Sequence, residues 1–247
     1  MSHIHVNVEH VSFAYENKYP VLEDITFTAH ENDAIGIVGA NGVGKSTLLK
    51  LLVGLDLNFS GSIRVEEIPL SKETLGKIRE KIGYVFQDSD SQLFMTTVEE
   101  DVAFAPRNYG LPEEEVERRV DAALKKVHIE HLRKKPIYKM SGGEKKLASI
   151  ATILSMTPDV ILMDEPSVAL DPKNRRNLIH VLNEFDHLKM IASHDLDFVM
   201  DTCNRVIVLD QGKIVADGDA KEILTDEKLL ESHGLELPLS LYGKNLL

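Results

Sequence analysis

Cysteine is almost missing. The single Cys203 among 247 residues has no partner within the chain, which excludes an internal disulfide and suits a reducing compartment. Long apolar runs are missing too: residues 160–163 and 206–209 are among the longest, far short of the roughly 20 needed to cross a bilayer as a helix. The first nine residues, Met-Ser-His-Ile-His-Val-Asn-Val-Glu, hold no apolar core of the signal-peptide kind. A membrane role is therefore expected to pass through a partner. Basic charge is scarce, with 28 Lys and Arg against 40 Asp and Glu and a formal charge of −12, so no broad binding of nucleic acid or anionic lipid is expected. No repeat of solenoid or propeller length and no low-complexity linker breaks up the chain. Its length allows one domain, or a core with an inserted subdomain.

What is present is organised around residues 39–47, Gly-Ala-Asn-Gly-Val-Gly-Lys-Ser-Thr. The apolar run at 35–38 reads as a buried strand before it, and residues 47–53 read as a helix after it. The spacing Gly39-x4-Gly44-Lys45-Ser46 is that of a phosphate-binding loop, and strand-loop-helix is the context this motif needs. Gly39, Gly42 and Gly44 let the backbone turn its N–H groups inward around an anion, and the helix directs its positive end at the same place. Lys45 is expected to reach the β- and γ-phosphates and the Ser46 hydroxyl to join a Mg²⁺ shell, with Asn41 and Thr47 completing the loop's contacts. A nucleoside triphosphate is the implied ligand.

Along the rest of the chain, Ile4, Val6 and Val8, then Val11, Phe13 and Tyr15, alternate with polar residues and predict a strand broken near His10. Residues 17–20 are turn-like, and 25–28 resume strand character. Tyr15 alone reads either as packing or as a ring for a purine base to stack on. His3 and His5, two apart with no third ligand, read as a polar face and not as a metal site. Residues 60–65 predict a turn and strand, and 82–86 a strand ending at Gln87. Helical character then runs from 88 to 156. Pro112 at the first helical position, Glu113, Glu114 and Glu115 in the first turn, and Val116, Val120, Ala123, Leu124 and Val127 on one face predict one helix, its glutamates solvated.

Ser141-x-x-Glu144 is a capping box that opens another helix and leaves Gly142 and Gly143 at an N-terminus able to receive an anion. Residues 160–163 are a wholly apolar strand followed at once by Asp164 and Glu165. Paired carboxylates there are costly unless they face a cation or solvent. Beside a phosphate loop they are expected to hold the Mg²⁺ shell (Asp164) and to face the γ-phosphate (Glu165). Asp171-Pro172 predicts an N-cap with proline at N1, ahead of a face of Leu178, Val181, Leu182 and Phe185. Residues 190–193 predict a strand ending at His194, which reads either as a surface histidine or as a donor to the γ-phosphate. A hairpin is expected over 206–216, a helix over 220–233, and an edge strand or extended arm over 235–242 because of Pro238.

In that order the motifs resemble the ATP-binding cassette family of ATPases over residues 3–224. The phosphate loop is similar to Walker A, residues 160–165 to Walker B with its catalytic glutamate, and Ser141, Gly142, Gly143 and Glu144 to the cassette signature. Gln87 falls at the Q-loop glutamine, Leu170-Asp171 at the D-loop, His194 at the switch histidine and Tyr15 at the adenine-stacking aromatic. The resemblance implies an α/β fold: a RecA-like P-loop NTPase core (about 1–87 and 157–224) with an N-terminal antiparallel β subdomain, an inserted helical subdomain (about 88–156) and a C-terminal extension (about 225–247). It implies ATP and Mg²⁺ as ligands, with Glu165, His194, Gln87 and Lys45 catalytic. Ser46, Gln87 and Asp164 would serve Mg²⁺, while Ser141, Gly142, Gly143 and Asp171 would meet ATP across a dimer.

A closer resemblance, to the ATPase subunits of energy-coupling-factor and cobalt/nickel importers, rests on residues 85–94, 97–104, 110–115 and 234–238. It implies membrane-embedded transporter subunits and a second cassette ATPase as partners, a peripheral place on the cytoplasmic face of the cell membrane, and uptake of a metal ion or vitamin. The alternatives are a soluble cassette switch, or a binding module without turnover. Three departures stand out: Met140 for the usual leucine, Glu144 for glutamine, and Val168-Ala169 where a small residue and a glycine are usual.

Overall fold

The computed structural model describes residues 4–16 and 19–242. Strands β1 (Ile4–Tyr15) and β2 (Tyr19–His30) pair antiparallel, and β1 also pairs with a later strand. The expected break near His10 is a bulge within one continuous strand: His10 sits at φ 51° and the register slips between Val8 and Val11. Tyr19 and Pro20, expected in a turn, belong to β2. His5, expected on a polar face, is buried, and His3 and Asn17 lie outside the described residues.

After β3 (Ala34–Val38) come the loop and α1 (Lys45–Leu52), then β4 (Phe59–Val65) and β5 (Ile68–Pro69), which complete a four-stranded sheet in the order β2-β1-β4-β5. Helix α2 (Leu75–Lys81) leads into β6 (Ile82–Val85). The helical stretch holds α3 (Val98–Asn108), α4 (Glu113–Lys126) and α5 (Gly142–Leu154). Pro112 is the N-cap of α4, one residue earlier than expected, and the glutamates after it are tied down by arginines: Glu113 pairs with Arg107, and Glu115 with Arg118 and Arg119.

Strand β7 (Val160–Asp164), α6 (Pro172–Asn183), β8 (Leu188–Ala192), α7 (Leu196–Thr202) and the hairpin β9 (Arg205–Asp210) and β10 (Lys213–Asp219) come next. The helix expected over 220–233 is two helices, α8 (Ala220–Thr225) and α9 (Glu227–Ser232). Asp226 stands between them and accepts the Leu229 N–H, so the residue that ends one helix caps the next. Nor is the segment after Pro238 a strand. It is the short helix α10 (Leu239–Tyr242), whose first N–H groups, on Leu239 and Ser240, are accepted by the Asp197 carboxylate.

The larger sheet runs β10-β9-β3-β8-β7-β6, parallel from β9 to β6 with β10 antiparallel at one edge. Its inner strands are buried on both faces, which is why residues 160–163 show no polar alternation. Val160 and Leu162 face one core with α1 and the antiparallel sheet, while Ile161 and Met163 face the other with the helical subdomain. Register then decides where the chemistry sits. Ile37 lies opposite Ala192, Asp164 opposite Ala192, and Val85 opposite Met163. The carboxyl ends of β3, β8, β7 and β6 are therefore level and adjacent, and the residues just beyond these four ends line one crevice.

Candidate nucleotide site

Each strand end delivers one part. From β3 comes the loop, which turns because Gly39 and Gly44 hold backbone conformations foreign to other residues, at φ 152° and 109°. Neither has room for a side chain: a Cβ on Gly39 would lie 2.2 Å from the Leu209 carbonyl oxygen, and one on Gly44 2.6 Å from Leu22 Cδ2. Lys45 opens α1 and is nearly buried. Its Nζ donates to the Gly39 and Ala40 carbonyls at 2.7 and 2.9 Å. Burial pulls its pKa down, opposed by the negative charges of Glu165 and Asp164.

From β7 come Asp164 and Glu165, both buried. Ser46 Oγ donates to Asp164 Oδ1 at 2.9 Å, and the Tyr84 hydroxyl lies 3.5 Å from Oδ2. Burial pushes the Asp164 carboxyl above the usual carboxylate range, as does the charge of Glu165, against the pull of the Ser46 hydroxyl. Glu165 occupies the left-handed region at φ 49°, a position that costs a non-glycine residue energy and that aims its side chain back across the sheet. From β8 come Ser193 and His194. Ser193 Oγ donates to Glu165 Oε2 at 3.1 Å, the His194 N–H donates to Oε1 at 3.1 Å, and the His194 ring places Nδ1 2.9 Å from Oε2. From β6 comes Gln87, across the crevice.

These ends enclose a cleft of about 560 Å³ lined by Asn41, Gly42, Gly44, Lys45, Ser46 and Thr47 of the loop, with Tyr15, Val21, Gln87, Glu165 and His194. Tyr15 stands at its rim, half exposed, braced edge-on by Phe13 and with its hydroxyl 3.2 Å from Thr47 Oγ1. A larger cleft of about 680 Å³, between α4 and the turn at 184–187, holds none of these groups. Among the described residues no group of three or more His, Cys, Asp or Glu is placed to hold a metal. The hydroxyl of Ser46 beside the Asp164 carboxylate is instead the sparse oxygen set that suits Mg²⁺, an ion that keeps waters and takes phosphate oxygens as further ligands.

Ser141, Gly142, Gly143 and Asp171 do not line this cleft. They lie together on another face, where Ser141 and Asp171 border a separate hollow and Gly143 approaches the Ala169 carbonyl. The capping box is formed: Ser141 Oγ accepts the Glu144 N–H at 3.3 Å, and Glu144 accepts the Ser141 N–H at 2.7 Å. Glutamate at this position gains what glutamine would not, an ion pair with Lys135 at 2.8 Å, which holds its carboxyl below the usual range. Ala169 keeps the left-handed conformation that glycine favours, at φ 68°, so the departure there leaves the backbone path open to glycine. The pattern gave no sign of Ser193 or Lys146, whose partners lie far away in sequence. A hydroxyl directly before a strand-end histidine is the only local signal for Ser193.

The ABC transporter family model matches residues 22–168. A Geobacter sulfurreducens protein provisionally named as an ABC transporter ATP-binding protein is 48% identical over 243 residues, 98% of each chain. The energy-coupling factor transporter ATP-binding protein EcfA of Carboxydothermus hydrogenoformans is 40% identical over 237 residues, 95% of this chain and 87% of that one. Among solved structures, cbiO1 of Clostridium perfringens, part of the ABC transporter complex cbiONQ, superposes with a TM-score of 0.83 at 36% identity, over 100% of this chain and 99% of that one. The ATP-binding cassette MJ0796, solved as a dimer with ADP and Pi, gives a TM-score of 0.80 at 26% identity, over 87% and 98%. The chain therefore belongs to the ABC transporter family, as an ATP-binding and ATP-hydrolysing subunit.

Proposed function

We propose that this chain powers uptake of a small substrate, a transition-metal ion or a vitamin, through a membrane-embedded partner, working as a dimer with a second cassette at the cytoplasmic face of the membrane. No helix among the described residues is long and apolar enough to cross a membrane; in this proposal the transport path belongs to the partner. The observation that carries the reading is an aromatic pair on the helical subdomain. Phe94 and Phe104, 64% and 40% exposed, meet edge to face with centroids 4.8 Å apart. Phe94 ends the segment that begins at Gln87, and its N–H is held by the buried Asp101 carboxylate. Exposed rings on a fixed backbone suit a helix of a membrane subunit, and their tie to Gln87 links that helix to the nucleotide. The likeness to EcfA and to cbiO1 supports uptake as the direction.

In this reading Lys45 and the loop N–H groups hold the β- and γ-phosphates, and Tyr15 stacks on the base. Ser46, Asp164 and Gln87 would hold Mg²⁺, which would supply neutralisation of the phosphate charge. Glu165 polarises the attacking water, and His194 fixes the γ-phosphate. Ser141, Gly142 and Gly143, with Asp171 beside them, meet the ATP of the second cassette, so ATP closes the dimer and its hydrolysis opens it.

The test is capture of tagged Glu165→Gln from detergent-solubilised membranes with Mg-ATP, compared with the same protein carrying Phe94→Ser. A multi-spanning membrane protein recovered by the first and lost by the second is the expected result. Recovery of soluble partners alone would overturn the transport reading in favour of a soluble cassette switch.

A further inference from the structure

The segment that carries Gln87 hangs from the signature helix. β6 ends at Val85, so the next carbonyls have no strand to pair with. Lys146, on the inner side of α5 and only 2% exposed, takes both: its Nζ donates to the Phe86 carbonyl at 3.0 Å and to the Gln87 carbonyl at 2.7 Å. Gln92 ties the other end of the segment to the same helix. Its Oε1 accepts the Phe86 N–H at 3.1 Å, and its Nε2 donates to the Ser149 carbonyl and to Thr152 Oγ1 at 2.7 and 2.8 Å. Lys145 and Asp90 form an ion pair between the same two pieces.

A buried ammonium with no carboxylate among the described residues in contact range is costly, and burial pulls the Lys146 pKa down, offset by the charges of Asp164, Asp88 and Glu165. Carbonyls alone do not demand a cation, since a neutral amide would serve them. A cation, however, also lies in the field of the two carboxylates of the nucleotide site.

We propose that Lys146 is a positioning residue for Gln87, fixing it to the signature helix so that the two move as one piece. Resting on the proposed function, in which Gln87 serves the ATP of its own chain and Ser141 to Gly143 serve that of the second cassette, Lys146 links the two ATP sites of the dimer through five residues of one helix.

A double-mutant cycle on the full chain tests this, with Gln87→Ala, Lys146→Met and their combination, reading kcat, the Kd for ATP, and amide hydrogen exchange without nucleotide. Lys146→Met is expected to lower kcat about 10-fold or more while the Kd for ATP stays within about 3-fold. The amides of Ser91, Gln92 and Leu93, bonded within the segment, should exchange faster, those inside α5 should not, and the double variant should be no slower than the slower single one. Losses that multiply in the double variant, or unchanged exchange at these three amides, would overturn the proposal. Normal turnover by Gln87→Ala would instead refute the role given to Gln87, and the exchange result would then judge the mechanical link by itself. If Lys146→Met does not fold, Lys146→Gln, whose amide nitrogen sits one bond nearer the backbone than Nζ and so cannot hold both carbonyls as the ammonium does, takes its place with the same two outcomes.

Discussion

The carboxylate of Glu165 and the imidazole of His194 face each other across two strand ends, Nδ1 lying 2.9 Å from Oε2. The pair is built from opposite sides of exposure, with the glutamate side chain 8% exposed and the histidine 61%. The carboxylate is held by the Ser193 hydroxyl and the His194 N–H, while the imidazole stands exposed at the mouth of the cleft. The left-handed backbone of Glu165, at φ 49°, is part of that arrangement, a position that costs a non-glycine residue energy.

Glu165→Gln keeps the shape and the Ser193 contact but removes the carboxylate proposed as the base. Hydrolysis should fall at least about 100-fold, with ATP still bound and a closed dimer accumulating. Turnover measured by phosphate release, alongside ATP titration, checks both parts. Near-normal release would refute the assignment of the base.

Ser193→Ala takes from the Glu165 carboxylate one of its two donors, the other being the His194 N–H, and leaves the side chain less fixed. Ser193 is fully buried, and its Oγ also accepts the Asp195 N–H at 3.1 Å, so stability should drop by about 1 kcal/mol. The kinetic effect should fall on kcat, about 10-fold, with the Kd for ATP within about 2-fold, since the hydroxyl touches the Glu165 carboxylate and not the loop. An equal loss in both constants would mean that Ser193 shapes the cleft in general.

How far this site could be read from the sequence depends on how local its parts are. The phosphate loop, the Ser141 capping box and the apolar strand ending in Asp164 and Glu165 declare themselves within a few residues, because turn chemistry, capping and burial on both faces act at short range. Helix α2 gave no periodic signal, since Ile78 is its only fully buried side chain. Likewise, the turn into α10 is fixed by Asp197, 42 residues before Leu239, where pattern alone put an edge strand or an extended arm. Lys146 shows the limit most clearly. Its two acceptors lie 60 and 59 residues away, so the sequence marks it only as one more lysine on a helix.

Asp164 should make the nucleotide-free protein less stable as pH rises. Its folded pKa lies above the unfolded value, so the folded state holds the proton more tightly. Folding is then unpenalised below the unfolded value near 3.9 and is weakened as pH climbs through the raised one. Asp164→Asn, neutral and of similar shape, should therefore melt higher than the wild type at pH 8, by about 2–4 °C if the relief is on the order of 1 kcal/mol. The difference should vanish near pH 3.5, while binding of Mg-ATP is weakened. A gain of equal size at both pH values would show that the carboxylate's charge is not its cause.

Ala169 offers a test of the third departure from the family pattern. Its backbone is left-handed at φ 68°, which costs a residue with a Cβ roughly 1–2 kcal/mol. Glycine removes that cost and gives back about 0.4–1 kcal/mol through the freer unfolded chain. Ala169 is exposed, so no packing is lost with the methyl. Ala169→Gly should therefore raise the melting temperature by about 2 °C. Ala122→Gly, at an exposed position inside α4, should lower it by a similar amount, because there the backbone is helical and glycine only adds freedom to the unfolded state. Opposite signs from the same change of residue would tie the effect to the backbone. If both variants lose stability, the turn at residues 167–171 is not strained, and its valine and alanine are better explained by what they meet on the second cassette.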